Sequence, residues 1–455
     1  MAPVSTIPVT LPASDDHKAS ARRVRSAYTV HDTVSLTQLA HTVPGSCVSK
    51  RASNDDELWP RKHWDAKVAA TIAKHGLKLA DCAELRYGNP QDEPIDGIVD
   101  VFVEASRPPP GREIDWFAYS VPDPEQVEAL AARMSADRGV EYRPEDMTVT
   151  DGSLAALDLL VYVCTDPGDE IIILSPVYFN YPVIMRHRQA VPVVVPARQS
   201  DFQPDVEAIR NAITPRTKAI IVNSPNNPTG VLYSRESLVN LSHMLTEINA
   251  NRPAPILVIS DEAYSRIVYD NAKFISMTTI YPHSAMTYTT GKTLLAPGQR
   301  LGYIALSPLM PTPHRTLLRR SLKVAQNASW AFPASPLLHS INELDTMSID
   351  IPKFQSRRDY LCDALARIGY KVYRPTGTFY VCILVPRPCL VGQGEEERDE
   401  AWCLDLAARG VLVMPGQLFG WNGVFRISLT ANERQLRHAV TVLGEMKREC
   451  GQDAV

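Results

Sequence analysis

The pattern of apolar and polar positions divides the chain into three stretches. Residues 1 to about 60 are polar and lack sustained periodicity, which predicts an N-terminal arm over 1–80, partly extended or disordered, with a short amphipathic helix at 64–76. From about Pro122, short apolar runs alternate with segments of helical periodicity. After about Ala331 the pattern changes to a long helical region followed by shorter strands. We therefore expect two structural units beyond the arm.

The apolar runs of the middle stretch are rich in β-branched residues, and most of them are continuous. They lie at 146–150, 169–176, 190–196, 218–225, 255–260 and 284–290, with helical segments at 124–139, 153–164 and 234–249. Continuously apolar strands are buried on both faces, so the pattern predicts an α/β fold with a mainly parallel sheet between helices. We expect this three-layer large domain over 116–330, and a smaller α+β domain formed by 81–115 and 331–455.

Composition narrows the classes of function. Of 455 residues, 45% are hydrophobic and 22% charged, and the net charge of -4 provides no large positive field for a nucleic acid. No apolar run approaches the roughly 18 residues of a membrane span, and the first twenty residues lack the apolar core of a signal peptide. Eight cysteines include no CxxC pair, which predicts reduced thiols and no metal site. We expect a cytoplasmic protein.

Candidate chemistry follows the predicted strands, because ligands of open α/β sheets bind beyond the carboxyl ends of the strands. Asp151, Gly152, Ser153 and Leu154 come directly after the first run and open a helix. A glycine turn at a helix N-terminus presents free N–H groups to a phosphate. The alternative is that Asp151 or Ser153 only caps the helix.

Two later strands are also followed by polar residues. "SPNNPTG" after the run at 218–225 presents Asn227, although such a string is also common in turns. Asp261 follows the run at 255–260, and Tyr264 comes three residues later. A carboxylate at the end of a buried strand is costly without a cationic partner, but Asp261 is also suited to capping the next helix.

The stretch "YTTGKTLLAPGQRLGY" contains Lys292 and, eight residues later, Arg300. Each of these cations taken separately is expected to be solvated on a loop. Together with Asp261 and the glycine turn, however, they match the needs of a pyridoxal phosphate enzyme. Such an enzyme requires an imine-forming lysine, an acid for the ring nitrogen, donors to the ring oxygen and a phosphate cradle.

Several motifs carry a family resemblance over roughly residues 81–450. "NSPNNPTG", "SDEAYSRIVYD" and "YTTGKTLLAPGQRLGY", followed by "PTGTFY" and "FRISLT", resemble the class I/II aminotransferases among the fold-type I pyridoxal phosphate enzymes. The resemblance implies pyridoxal 5'-phosphate as cofactor. It also implies that Lys292 forms the internal aldimine, that Asp261 pairs with the pyridine nitrogen, and that Tyr264 and Asn227 donate to the 3-oxygen. We therefore expect Lys292, Asp261 and Tyr264 to be catalytic.

The resemblance also implies how the rest of the cofactor is held. Tyr178, in "SPVYFNYP", matches an aromatic residue that stacks on the cofactor ring; the alternative is a core tyrosine. Family members often have serine directly before the lysine, where this chain has Gly291. The expected phosphate cradle consists of Gly152, Ser153, Leu154, Thr289 and Arg300.

Substrate and partner contacts are implied in the same way. Arg426 matches the arginine that binds the substrate α-carboxylate, with Gly88 and Asn227 close to it. Tyr119 matches a tyrosine that reaches the phosphate of a partner subunit, which implies a homodimer with shared active sites. An alternative for Arg426 is an exposed position on an edge strand.

The expected reaction is transamination between an α-amino acid and a 2-oxo acid. The enzymatic alternative is β- or γ-elimination, replacement, cyclisation or oxidase chemistry on an amino acid in secondary metabolism. A cofactor-binding transcription regulator is disfavoured, because the first 80 residues show neither a helix-turn-helix pattern nor a strong basic bias. The sequence does not reveal which amino acid is recognised.

Overall fold

A seven-stranded sheet forms the centre of the larger part of the molecule. The computed structural model describes residues 60–119, 122–329, 331–386 and 398–452. Its strands are β2 Met147–Thr150, β3 Glu170–Ser175, β4 Val191–Pro196, β5 Thr217–Asn223, β6 Leu257–Asp261, β7 Ser284–Thr289 and β8 Gly302–Leu306. Their order across the sheet is β2-β8-β7-β6-β5-β3-β4, and only β8 runs antiparallel to its neighbours.

The continuous apolar runs arise because this sheet is covered on both faces. In β3, Ile171 and Ile173 belong to one buried cluster, whereas Ile172 and Leu174 belong to another. Helix Gly152–Cys164 contributes to the first cluster and helix Arg235–Asn249 to the second. The predicted α/β architecture, with a mainly parallel sheet between helices, is therefore confirmed.

Polar caps set the starts of several of these helices. Asp123, Asp205 and Ser234 each accept a hydrogen bond from a backbone N–H of the first turn that follows. The helices around the large sheet are Pro124–Arg138, Gly152–Cys164, Asn180–His187, Val206–Ala212, Arg235–Asn249, Thr290–Thr293 and Thr312–Ser329. Short 3-10 helices lie at Leu79–Asp81, Pro144–Asp146, Met277–Thr279 and Gly416–Phe419.

A smaller antiparallel sheet lies beside the large one, with strand order β12-β13-β10-β9. Its strands are β9 Val372–Tyr373, β10 Tyr380–Leu384, β12 Met414–Pro415 and β13 Val424–Ser428, and a parallel pair joins β1 Ala83–Glu84 to β11 Val411–Leu412. The remaining helices are Pro60–Lys74, Ile98–Ala105, Ser335–His339, Ile341–Thr346, Ile351–Ile368, Arg398–Ala408 and Glu433–Gln452.

Helix Pro60–Lys74 lies within the range expected for the arm, but it packs into the core around the smaller sheet. Trp64, Val68 and Ile72 recur at four-residue spacing on one side of this helix, and all three are buried in that core. Residues 1–59 lie outside the described residues. The division into domains at 80/81, 115/116 and 330/331 stays a prediction.

Several elements were not predicted from the pattern. Strand β8 and the helices Asn180–His187, Val206–Ala212 and Thr312–Ser329 are additional to the elements expected. The expectation of reduced cysteines is wrong at Cys450, which forms a disulfide bond. The free thiols among the described residues are Cys82, Cys164, Cys362, Cys382 and Cys403.

Candidate active site

A cavity lies at the carboxyl ends of β5, β6 and β7. These strands are neighbours in the sheet, so the residues that follow them converge although they are distant in sequence. The predicted site residues that line this cavity are Ser153, Leu154, Tyr178, Asn227, Asp261, Tyr264, Thr289, Lys292 and Arg300.

Lys292 lies in helix Thr290–Thr293, directly after β7. Its Nζ lies 5.7 Å from the centroid of the Tyr264 ring. Within the described part of the chain, Nζ forms neither a hydrogen bond nor an ion pair. The amine is therefore available to a ligand in the cavity.

Asp261 is the last residue of β6, and its side chain is buried. One carboxylate oxygen accepts a short hydrogen bond from the Tyr181 hydroxyl, and the other accepts the backbone N–H of Ala263 at 3.2 Å. Burial raises the pKa of Asp261, an effect that the Tyr181 hydrogen bond and the nearby charge of Lys292 oppose. A buried carboxylate in this setting is suited to holding a cationic group of a ligand.

The first turn of helix Gly152–Cys164 lies against Arg300. Gly152 has a φ of +79°, and a Cβ at this position would overlap a guanidinium nitrogen of Arg300 and lie 2.9 Å from the guanidinium carbon. The Thr289 hydroxyl accepts the backbone N–H of Gly291 at 3.2 Å. Helix N–H groups, a guanidinium and a hydroxyl therefore surround one end of the cavity, as an anionic phosphate requires.

Arg426 projects from β13 and is only 2% exposed. Its terminal nitrogens donate to Asn227 Oδ1 at 2.8 Å and to the backbone oxygen of Arg86 at 2.7 Å. Its Nε is buried and has no hydrogen-bond partner, and the described residues provide no carboxylate partner. A buried cation with an unpaired donor is costly unless an anion binds to it. The alternative of an exposed arginine on an edge strand is therefore wrong, because β13 lies between β12 and β10.

Gly88 and Tyr178 lie near these groups. A Cβ at Gly88 would overlap the Phe379 ring and lie 2.8 Å from the Tyr380 hydroxyl, so only glycine fits without displacement. The Tyr178 ring lines the cavity and makes an edge contact with Tyr181 at a centroid distance of 5.5 Å. Close packing thus explains the glycine at position 88 before any ligand is considered.

Tyr119 is a predicted site residue that does not line the cavity. Its side chain is 92% exposed, and Ile114 and Phe117 in the same segment are also exposed. The described residues leave most of the surface of these side chains exposed, so the segment presents apolar surface that another molecule can contact.

Sequence reasoning missed two tyrosines at the site. Tyr181 binds Asp261, and Tyr380 lies beside Arg426. The spacing held a signal for Tyr181, because it follows Tyr178 by three residues at the start of helix Asn180–His187, where such residues share a face. No comparable local signal marks Tyr380.

The residues present fit pyridoxal phosphate. The cavity combines a phosphate cradle, a buried carboxylate for a ring cation and an unpaired lysine amine, and the buried Tyr264 lines it as well. Burial raises the pKa of Tyr264 well above its ordinary value, so this hydroxyl keeps its proton and can donate a hydrogen bond.

The family model "Aminotransferase class I and II" matches residues 85–443. The chain is 34% identical to a probable aspartate/prephenate aminotransferase of Thermus aquaticus over 82% of this chain and 95% of that protein. It is 30% identical to the aspartate/prephenate aminotransferase of Thermus thermophilus over 82% and 94% of the two chains.

Solved structures show the same likeness. An aminotransferase from Eubacterium rectale superposes with a TM-score of 0.77 at 26% identity, covering 89% of this chain and 99% of that one. The alanine aminotransferase from Pyrococcus furiosus gives a TM-score of 0.76 at 27% identity, with coverages of 88% and 100%. Among the described residues, no helix has the length and apolar character to span a membrane.

These matches cover the site as well as the fold, since the matched range runs from before Gly88 to beyond Arg426. Transferase activity and pyridoxal phosphate as the cofactor follow from that family. The chain therefore belongs to the aminotransferase class I and II family.

Proposed function

We propose that this protein transfers an amino group between an α-amino acid and a 2-oxo acid, with Lys292 as the residue that bonds to pyridoxal phosphate. One observation carries the proposal. Lys292, Asp261 and the Arg300 cradle line a single cavity, and the buried Arg426, whose Nε has no partner, is joined to that cavity through Asn227. The same cavity can thus hold a cofactor phosphate and ring beside a substrate carboxylate.

The cofactor, when bound, supplies an electron sink for the bond that breaks at the substrate Cα. Asp261 would face the ring nitrogen and keep it protonated, because a buried carboxylate stabilises a nearby cation. Asn227 and Tyr264 would donate to the 3-oxygen, and Tyr178 would cover one face of the ring. The backbone N–H groups of the Gly152 turn and the side chains of Ser153, Thr289 and Arg300 would bind the phosphate.

Arg426 and Lys292 would act on the substrate. The free Nε and the planar guanidinium of Arg426 suit a carboxylate, and a fixed carboxylate orients the Cα–H bond relative to the cofactor. Lys292, once its amine is released, would take the proton from Cα and deliver it to the cofactor carbon. The described residues around the cavity include no other unpaired amine.

We also propose a homodimer in which Tyr119 contributes to the partner's site. The exposed side chains of Ile114, Phe117 and Tyr119 support this, because one short segment rarely leaves three large apolar groups in water. Light scattering of the purified protein should give twice the monomer mass, and a monomer with full activity would contradict the proposal.

The substrate is proposed from the names of the relatives. Aspartate and prephenate occur in the names of the Thermus proteins, so acidic amino acids and their 2-oxo acids are the first candidates to test. Alanine occurs in the name of one structural neighbour, so alanine is the second candidate.

The decisive experiment adds amino acids one at a time, without any 2-oxo acid, and follows the absorption of the bound cofactor. A transaminase stops after one half-reaction, because the amino group stays on the cofactor. The visible band should disappear with one equivalent of 2-oxo acid formed, and an added 2-oxo acid should restore it. Sustained turnover of a single amino acid with the band intact would instead support elimination, replacement, cyclisation or oxidase chemistry.

The site of attachment has its own test. Borohydride treatment of the yellow protein, followed by digestion and mass spectrometry, should place the cofactor on the peptide that contains Lys292. The matched control is Lys292→Arg, which keeps the positive charge but should carry no label. A label on another lysine would overturn the assignment of Lys292.

A further inference from the structure

Tyr380, the first residue of β10, touches three groups of the site and has no assigned role so far. It is 4% exposed, and its Cα partner across the antiparallel pairing with β13 is Ser428, two residues after Arg426. Residues two apart on a strand share a face, so this register places Tyr380 and Arg426 on the same side of the small sheet.

The first contact is with Arg426. The guanidinium carbon lies 3.8 Å from the centroid of the Tyr380 ring and 4.5 Å from that of Phe419. The described residues offer no carboxylate to this buried guanidinium, so the aromatic faces add to the compensation that the Asn227 and Arg86 oxygens provide. Stacking on a ring also fixes the plane of the guanidinium, and that plane determines where a carboxylate can bind.

The second contact is with Tyr264, whose hydroxyl is hydrogen-bonded to that of Tyr380. The two rings meet edge to face, with centroids 6.0 Å apart. When Tyr264 donates its proton to a ligand oxygen, its hydroxyl can accept a hydrogen bond from Tyr380. A hydroxyl that accepts a hydrogen bond becomes a stronger donor itself, because the two bonds polarise one another. Tyr380 can therefore strengthen the hydrogen bond that Tyr264 gives to a ligand.

The third contact is with Gly88, where a Cβ would lie 2.8 Å from the Tyr380 hydroxyl. The hydroxyl is thus confined between the backbone of Gly88 and Tyr264. Together with the stacked ring, this leaves the side chain little freedom to turn away from Arg426.

We infer that Tyr380 is a positioning residue that holds the Arg426 guanidinium and the Tyr264 hydroxyl in a fixed relation to each other. The inference rests on the proposed function, in which Arg426 binds the substrate carboxylate and Tyr264 binds the cofactor oxygen. The Tyr380 side chain then contacts both Arg426, which binds the substrate carboxylate, and Tyr264, which donates a hydrogen bond to the cofactor. The face of the ring acts on Arg426 and the hydroxyl acts on Tyr264, so the two effects are separable.

The test uses the cofactor-loaded enzyme and two variants. Tyr380→Phe keeps the ring and removes the hydroxyl, whereas Tyr380→Met keeps most of the volume and removes the aromatic face. Two quantities are measured: the dissociation constant of propionate, followed by the cofactor's absorption, and the apparent pKa of the visible band. Tyr370→Phe is the control, since it removes a buried hydroxyl that donates to Leu443 O at 2.9 Å outside the cavity.

Tyr380→Phe should raise the apparent pKa of the visible band, because Tyr264 becomes a weaker donor to the cofactor, and should leave propionate binding within about twofold. Tyr380→Met should weaken propionate binding by about 3- to 30-fold, which corresponds to the loss of a desolvated cation–π contact. Tyr370→Phe should change neither quantity.

The inference fails if Tyr380→Phe leaves the pKa unchanged and Tyr380→Met binds propionate as tightly as Tyr370→Phe does. Should Tyr380→Met not fold, Tyr380→Leu replaces it under the same criterion. Arg426→Lys separates this failure from that of the proposed function. If Arg426→Lys binds propionate normally, the assignment of Arg426 as the carboxylate-binding residue is wrong. If Arg426→Lys loses propionate binding but the Tyr380 variants do not, only the role of Tyr380 is wrong.

Discussion

At the scale of single residues, the most informative feature is a buried carboxylate at the end of a strand. Asp261 is buried and bonded to Tyr181, and the described part of the chain gives it no ion-pair partner. Such a carboxylate either stabilises the cofactor-free protein or binds a cationic group of a ligand. The two possibilities predict different behaviour for its neutral isostere.

Asp261→Asn should retain the cofactor through the phosphate cradle but lose turnover by about 10²-fold or more, because the ring nitrogen loses the charge that keeps it protonated. The measurement is kcat with saturating substrate. Asp201→Asn, at an exposed surface position, is the control and should keep full activity. Near-normal turnover of Asp261→Asn would remove this residue from the mechanism.

The same residue predicts a pH dependence of the cofactor-free protein. Burial raises the pKa of Asp261 above its ordinary value of 3.8, so the folded state binds its proton more tightly than the unfolded state does. The free energy of unfolding should therefore fall as pH rises above about 4, through the raised pKa. Asp261→Asn should lose this dependence.

Urea unfolding of the apo forms at several pH values measures that difference. Above pH 4 the variant should be at least as stable as the wild-type apoprotein, and the two should converge in more acidic solution. With cofactor bound, the order should reverse, because only Asp261 can pair with the ring cation. A variant that is less stable at neutral pH without cofactor would show that Asp261 is a structural residue.

At the scale of elements, the start of helix Gly152–Cys164 couples backbone conformation to ligand binding. Gly152→Ala should weaken cofactor binding by about 10-fold or more, because a Cβ there overlaps the Arg300 guanidinium and displaces it from the helix N-terminus. Equilibrium dialysis with pyridoxal phosphate measures the dissociation constant.

Gly168→Ala is the matched control for backbone strain. Gly168 also has a positive φ, of +90°, but no atom lies within 4 Å of an added Cβ. Both variants should lose about 1 kcal/mol or more of stability from the strained backbone, and only Gly152→Ala should lose cofactor affinity. Equal affinities in the two variants would remove this turn from the phosphate site.

At the scale of the whole molecule, helix Pro60–Lys74 packs into the core around the smaller sheet. Burying Trp64, Val68 and Ile72 contributes about 5–9 kcal/mol, comparable with the whole stability of a domain. A chain that starts at Asp56 should therefore fold and bind cofactor, whereas one that starts at His75 should not. Thermal unfolding and cofactor absorption compare the two truncations, and a stable, yellow protein starting at His75 would contradict this prediction.

Much of the fold could be predicted because a strand that is buried on both faces of the sheet has a continuous run of apolar residues. Residues 171–174 are all apolar since successive side chains enter opposite cores. Strand β8 was missed although it is fully buried, and helix Thr312–Ser329 was missed because few of its residues are buried. The amphipathic helix at 64–76 was recognised, but the core into which it packs includes residues such as Trp402 and Leu406, more than 300 positions away.

By itself, the sequence determined the parallel sheet, the cofactor class and the residues that follow each strand, because these depend on local apolar runs and on side chains within a few positions of them. Only the tertiary structure decided which groups offset the buried charge of Arg426. It also decided which hydroxyls form hydrogen bonds with Asp261 and Tyr264. Arg426 and Asn227 are 199 residues apart, and the register of β10 with β13 sets the approach of Tyr380. Contacts between distant strands leave no local pattern, because register and burial are properties of the packed chain.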